Sequence, residues 1–265
     1  MTSLTLDCVE AESELLSAEL WEHGAAGVQE EELPGGRVRL RAWFDAGEGL
    51  AERFAAYAPT LEEERAVDWE TVSRQAWQPV EVGARFYLAP EWDESPTPES
   101  RVRLTVHPGM ALGTGDHPAT QLALAALEKH LRPGERLLDT GTGTGILVAA
   151  ACLLGARGAG CDIEWASARS ARENLLADAC PPRIFAGSLR AVAAGAADVV
   201  IANINAVTHH VLAPEYARVA RRLVILAGFP ARHTALIEQA LRAHGWRPLD
   251  QMSEREWVCL VFAPE

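Results

Sequence analysis

The sequence predicts an α/β chain in two parts: a small α+β unit at the front, then a larger doubly wound, mostly parallel sheet closed by a terminal antiparallel hairpin. Three observations predict it. Apolar periodicity runs β-α-β-β-α through the first sixty residues, strand and helix patterns alternate from residue 122 to residue 262, and charge divides between the front and the rest. Residues 1–100 hold 22 Asp and Glu against 7 Arg, a net charge of −15, whereas residues 101–265 hold 15 acids and 17 bases, a net of +2. The acidity of the chain, −13 overall, therefore belongs to its front. Such a surface either serves solubility or draws in a cationic partner, and it repels nucleic-acid phosphates.

At the front, residues 4–9 alternate like a strand, and residues 11–23 carry apolar side chains at helical spacing until the glycines at 24 and 27 stop them. A strand-like run at 26–29, a turn at 33–36, the alternating stretch 38–44 and a second helix at 49–57 complete the β-α-β-β-α order. That order packs helices on one face of an antiparallel sheet. Residues 61–77, rich in Glu and Arg, read as a connecting helix whose Trp69 and Trp77 share one face and pack on a neighbour. Pro90, Pro96 and Pro98 mark a loop before a strand at 101–106.

Helix 122–131, strand 136–139, helix 146–154, strand 159–163, helix 166–179 and strands 183–186 and 198–203 follow. A helix near 215–222, a buried strand at 223–229, a helix at 231–245 and a hairpin of 246–250 with 257–262 end the chain. Alternation of this kind builds a parallel sheet covered on both faces, to which the hairpin adds one reversed strand. With 48% hydrophobic and 23% charged residues the chain has a globular composition, and no run approaches the roughly 18 apolar residues of a membrane span. The acidic residues 1–14 lack the apolar segment of a signal peptide, so a cytoplasmic protein is expected. Cys8, Cys152, Cys161, Cys180 and Cys259 are scattered without a C-x-x-C pair, which suggests neither a disulfide framework nor a metal site.

In a doubly wound sheet the ligand lies beyond the carboxyl ends of the strands, beside the first one, and D-T-G-T-G-T-G (139–145) falls there. Gly141, Gly143 and Gly145 let backbone N–H groups approach a ligand and let the chain visit positive φ ahead of a helix N-terminus. A dinucleotide site prefers G-x-G-x-x-G, but the sixth position from Gly141 is Ile146. The tighter spacing fits the amino-acid end of S-adenosylmethionine, which has a carboxylate and no pyrophosphate. Asp162, at the end of the next strand and 21 residues after Gly141, is placed to accept hydrogen bonds from both ribose hydroxyls.

A-N-I-N-A (202–206) follows an apolar strand, where the amide oxygen of Asn203 can accept N–H bonds from an incoming amine. Asn205 serves equally well as the cap of the following helix. P-G-M-A-L-G-T-G-D-H-P-A-T-Q (108–121) reads as a flap over the ligand, with Thr120 near a helix start and His117 holding the loop through backbone hydrogen bonds more than acting as acid or base. His209 and His210 read as helix-surface residues.

With the flap, the glycine turn, Asp162 and A-N-I-N-A in this order, the chain resembles the bacterial methyltransferase family that modifies protein L11 of the large ribosomal subunit. The acidic Trp-containing linker and the closing E-W-V-C-L (256–260) extend the likeness over essentially the whole chain. The resemblance implies a substrate-recognising, ferredoxin-like domain over 1–60, a linker helix over 61–78 and a class I (Rossmann-like) methyltransferase domain over 79–265. It implies S-adenosylmethionine as cofactor, held by Thr120, Gly141, Asp162 and Asn203 together with Gly143, Gly145, Thr114 and Gly115. Asn203 and the backbone carbonyl of Ile204 would be the catalytic pair that orients a lysine or N-terminal amine. The implied partner is the ribosomal protein, met by a monomer with no direct contact to nucleic acid or membrane. Leu112 stands where the family usually has Phe, Glu164-Trp165 replaces Asp-Pro, and Asn205 is unusual after the Asn-Ile pair.

Three other readings stay open at this stage. A nicotinamide oxidoreductase lacks its glycine pattern, a methyltransferase for nucleic acid or a small-molecule amine shares the cofactor half of the site, and a non-catalytic binding protein shares the scaffold.

Overall fold

The structure, a computed structural model, describes residues 2–63, 78–107 and 117–265, and divides into two units, Met1–Ala76 and Trp77–Glu265. In the first unit β1 (Thr2–Val9), α1 (Glu10–Glu22), β2 (Gly27–Leu33), β3 (Arg37–Phe44), the short α2 (Leu50–Arg53) and β4 (Thr60–Glu63) form a sheet of order β2-β3-β1-β4. Every pairing in it is antiparallel, the ferredoxin-like arrangement. Alternation in β3 buries Val38, Leu40, Ala42 and Phe44 against Leu4 and Leu6 of β1 and Leu16 and Leu20 of α1. That shared face is the core of the unit.

Two details depart from expectation here. The second helix is broken, one turn of α2 followed by a 3₁₀ turn at Ala55–Tyr57. The linker helix expected from residue 61 meets a strand instead, since Leu61 pairs with Leu4 and Glu63 with Thr2; its remainder, with Trp69 and Trp77, lies outside the described residues. T-L-E-E carries one apolar residue and no visible alternation, so only its partner strand makes it β.

In the second unit β5 (Val80–Val82), β6 (Phe86–Pro90) and β7 (Val102–Val106) form a three-stranded sheet, of which only the last strand was expected. The Glu128 carboxylate ties it down by accepting the N–H groups of Ala84 and Arg85 at 3.0–3.2 Å. The main sheet uses β8 (Arg136–Thr140), β9 (Arg157–Asp162), β10 (Ile184–Ala186), β11 (Ala197–Asn203), β12 (Ala220–Pro230), β13 (Trp246–Glu254) and β14 (Trp257–Pro264). Its order is β10-β9-β8-β11-β12-β14-β13, parallel from β10 to β12, with β14 reversed.

Helices α3 (Pro118–His130), α4 (Ile146–Leu153) and α5 (Trp165–Ala177) pack on one face, and α6 (Ala206–Val219) and α7 (Thr234–Arg242) on the other. Successive residues serve opposite layers, Leu137 with the α3 and α4 side and Leu138 with the α6 side, as period-two alternation requires. One helix differs from its predicted place: α6 begins at Ala206 rather than near 215, and Pro214 lies inside it. The chain reversals β8 to α4, β9 to α5 and β11 to α6 all fall at the carboxyl edge of the sheet, the edge that carries the site.

Candidate functional site

The first strand delivers Asp139, Thr140 and then the glycine turn. Gly141 has φ +71°, and a Cβ built on it would stand 2.7 Å from Cγ2 of Ile204, so the turn can pass the end of β11 only without a side chain. Four of its N–H groups are already committed: Gly141 and Thr142 donate to the carbonyl of Cys161 (2.9 and 3.1 Å), Gly143 to Oδ2 of Asp162 (3.1 Å) and Gly145 to the carbonyl of Thr142 (2.8 Å). The expectation that these amides point at a ligand is corrected accordingly. The glycines provide room and backbone shape, and they pin the turn to the neighbouring strand.

Two carboxylates frame this turn. Asp162 is 9% exposed, with Oδ2 accepting from Gly143 and Oδ1 from the N–H of Glu164 (3.0 Å). Each oxygen keeps a further lone pair in a fixed plane. Asp139, a residue to which sequence reasoning gave no role, is 1% exposed; its Oδ2 accepts from the Thr142 hydroxyl (2.7 Å) and its Oδ1 is buried without a partner. Burial raises its pKa to about 7, reinforced by Asp162 and opposed by Thr142. An orphaned buried oxygen beside a turn that a single Cβ would fill fits a ligand bearing a positive charge. The signal was present as an acid ending an apolar strand, but its burial was not.

On the other side of the turn, β11 ends in Asn203. Its amide Nδ2 donates to Oγ1 of Thr120 (3.1 Å), a residue 2% exposed in the first turn of α3. Residues 83 apart are thereby joined, as the separate motifs implied. Asn205 does the capping instead: its Oδ1 accepts the N–H and hydroxyl of Thr208 at 2.9 and 3.0 Å. The turn between them rests on β12, where Ile204 N–H donates to the carbonyl of Ala227 (3.0 Å). Gly228, absent from the sequence reading, has φ +94°, and a Cβ there would lie 2.5 Å from the Ile204 oxygen and 2.6 Å from its nitrogen. Its signal in the sequence is one glycine inside an apolar strand.

The histidines sort differently from expectation. His117 is the N-cap of α3, Nδ1 accepting from the Ala119 N–H at 3.2 Å, and its ring meets Trp257 edge-on at 4.4 Å. His210 is exposed, but His209 is fully buried rather than on the surface, because α6 starts earlier than predicted and turns that position inward. Thr114 and Gly115, with Leu112 and the rest of the flap from 108 to 116, lie outside the described residues. At the foot of the flap His107 bridges Asp178 (3.1 Å) and Glu91 (2.9 Å), which raise its pKa against the opposing effect of burial.

Comparison with known proteins decides what such a site belongs to. A sequence profile of the family described as ribosomal protein L11 methyltransferase (PrmA) matches residues 46–265. The chain belongs to the ribosomal protein L11 methyltransferase family. The relative of that name from Thermus thermophilus is 37% identical over 248 residues, 92% of each chain, and that from Myxococcus xanthus is 34% identical over 277 residues, 97% of this chain and 96% of the other. The crystal structure of the ribosomal protein L11 methylase from Lactobacillus delbrueckii subsp. bulgaricus superposes with a TM-score of 0.66 at 28% identity, covering 71% of this chain and all of that one. Family membership makes the chain an S-adenosylmethionine-dependent protein methyltransferase of class I fold, in agreement with the strand order above. The resemblance carried by the glycine turn, Asp162 and A-N-I-N-A is borne out, and the oxidoreductase reading falls. Among the described residues no helix is long and apolar enough to cross a membrane.

Proposed function

We propose that the chain methylates amines of ribosomal protein L11, and that Asn203 and the carbonyl of Ile204 form the subsite that orients each amine. When bound, S-adenosylmethionine supplies a methyl group on a sulfonium sulfur, a good leaving group for displacement by an uncharged amine. Asp139, through its orphaned Oδ1, and the Gly141–Gly145 turn would hold its positively charged end, and Asp162 would hold its ribose hydroxyls. Thr114 and Gly115 of the flap are assigned to the same ligand through their place in the family motif alone.

The observation that carries the reading is the Asn203–Thr120 hydrogen bond. With Nδ2 engaged by Thr120, the Asn203 side chain is oriented so that its Oδ1 remains an acceptor, and the Ile204 carbonyl follows it in the chain. Two carbonyl-type acceptors suit an amine that has lost its proton to water before attack. Their contribution is alignment, worth about 7–11 kcal/mol in favourable cases. The acidic front, net −15 over residues 1–100, supports a basic protein substrate over nucleic acid. The same reading makes the first unit, whose sheet ends with β4 (Thr60–Glu63), the substrate-recognition domain, joined to the methyltransferase domain by a linker that follows that strand, and the whole chain a cytoplasmic monomer.

The test uses labelled S-adenosylmethionine and purified L11. Asn203→Ala lowers kcat by about two orders of magnitude while cofactor affinity, read by calorimetry, stays within a few-fold. Equal losses in both reassign Asn203 to cofactor binding, and label appearing on RNA but not on L11 sinks the substrate assignment.

A further inference from the structure

The buried face of α6 holds a polar group that the reaction described above does not use. His209 and Tyr216 are both 0% exposed, and an unpaired imidazole there is costly unless it is satisfied on both nitrogens. It is satisfied. Nε2 lies 2.8 Å from the carbonyl of Ala227, and since a carbonyl only accepts, Nε2 carries the proton. Nδ1 is then a bare acceptor, 3.0 Å from the hydroxyl of Tyr216, which donates to it. Burial drives the imidazole pKa down to about 4, so the ring is neutral and keeps this single tautomer.

The partners matter more than the burial. Ala227 is the residue whose carbonyl also accepts the N–H of Ile204, and the Ile204 carbonyl borders the imidazole as well. The backbone N–H of His209 donates to the carbonyl of Asn205 at 3.1 Å. Phe229, the residue after Gly228, closes edge-on against the ring at 5.3 Å. One residue thus touches the end of β12 through its ring and the Ile204–Asn205 turn through its ring and its backbone N–H. A hydrophobic residue would fill the same space yet leave Ala227, Tyr216 and the turn without their shared bond.

We propose that His209, held by Tyr216, is a positioning residue for methyl transfer, latching the Asn203–Ile204 turn to the end of β12 so that its acceptors keep the orientation the amine requires. The proposal rests on the reading that this turn is the amine subsite. It predicts a loss that falls mainly on the chemical step, because Asp139 and Asp162 on β8 and β9 and the glycine turn after β8 share no hydrogen bond with His209 among the described residues.

The full chain is assayed with L11 as acceptor, with kcat, KM for L11, cofactor affinity by calorimetry and melting temperature measured on His209→Leu, His209→Gln and Tyr216→Phe. His209→Leu loses about tenfold or more in kcat with cofactor affinity within about threefold, and His209→Gln, which restores one donor and one acceptor, regains most of that loss. Tyr216→Phe keeps the ring volume and loses kcat to a smaller degree. A wild-type kcat in His209→Leu overturns the proposal, as does a parallel fall of kcat and cofactor affinity that His209→Gln does not repair. Where His209→Leu fails to fold, Tyr216→Phe decides in its place, and a wild-type kcat there overturns it. Asn203→Ala, run alongside, separates the two ideas: wild-type turnover in that variant removes the amine subsite itself, whereas its loss beside an active His209→Leu removes only the latch.

Discussion

Replacing Asp139 with asparagine probes the cofactor end of the site through folding stability. Burial, with help from Asp162 and against the Thr142 hydrogen bond, lifts this carboxyl from 3.8 to about 7. The folded chain therefore holds the proton that the unfolded chain releases near pH 4. Below that pH the group carries no penalty; as pH rises from about 4 to about 7 stability is lost, and above the folded pKa the loss is complete. A displacement from 3.8 to about 7 corresponds to about 4 kcal/mol at about 1.4 kcal/mol per pH unit. Asparagine stays neutral throughout and keeps an oxygen for Thr142, so relative to wild type it gains about 2–4 kcal/mol between about pH 5 and pH 8.5. Urea unfolding of both proteins at the two pH values reads this difference, and comparing variant with wild type at each pH cancels the titration of His107 and His209. Calorimetry with S-adenosylmethionine at about pH 8 completes the test, since the neutral side chain cannot meet a positive charge and affinity falls. A variant whose stability tracks wild type across this range, or one that binds cofactor as tightly, refutes the reasoning from the orphaned Oδ1.

Gly228→Ala forces a Cβ to 2.5 Å from a backbone oxygen at φ +94°; overpacking of about 1–3 kcal/mol and a positive-φ cost of about 1–2 kcal/mol add to a stability loss of about 2–5 kcal/mol, with reduced methyl transfer. An unchanged unfolding midpoint contradicts it. Asn205→Ala removes the cap of α6, both bonds to Thr208 included, and lowers stability by about 1 kcal/mol in denaturant unfolding. His107, with its pKa raised by Asp178 and Glu91, contributes stability that is whole below about pH 6.5 and fades as pH rises through the raised value. NMR titration of its ring checks the sign, and a midpoint at or below about 6.5 speaks against the bridge.

Most of the larger unit was legible because its strands are long apolar runs separated by helices with their own period; the predicted strand at 136–139 and the observed Arg136–Thr140 differ by one residue. The start of α6 was not, for its first turns, A-V-T-H-H-V, carry exposed valines at 207 and 211 and no continuous apolar stripe. The site divides in the same way. Gly141, Asp162, Asn203 and Thr120 are picked out by their motifs, whereas the close approach at Gly228 and the burial of Asp139 and His209 depend on surroundings that no motif spells out.

What the sequence determined by itself was the order of the elements, the glycine turn and the spacing that sets Asp162 and Asn203 at strand ends, since periodicity and backbone freedom are properties of a few consecutive residues. What only the tertiary structure decided was that Thr60–Glu63 is a strand, that four of the turn's amides are already committed, that Asp139 is dry and that His209 faces inward. Pairing, desolvation and close approach depend on atoms contributed from elsewhere in the chain, so they exist only once the chain has folded around them.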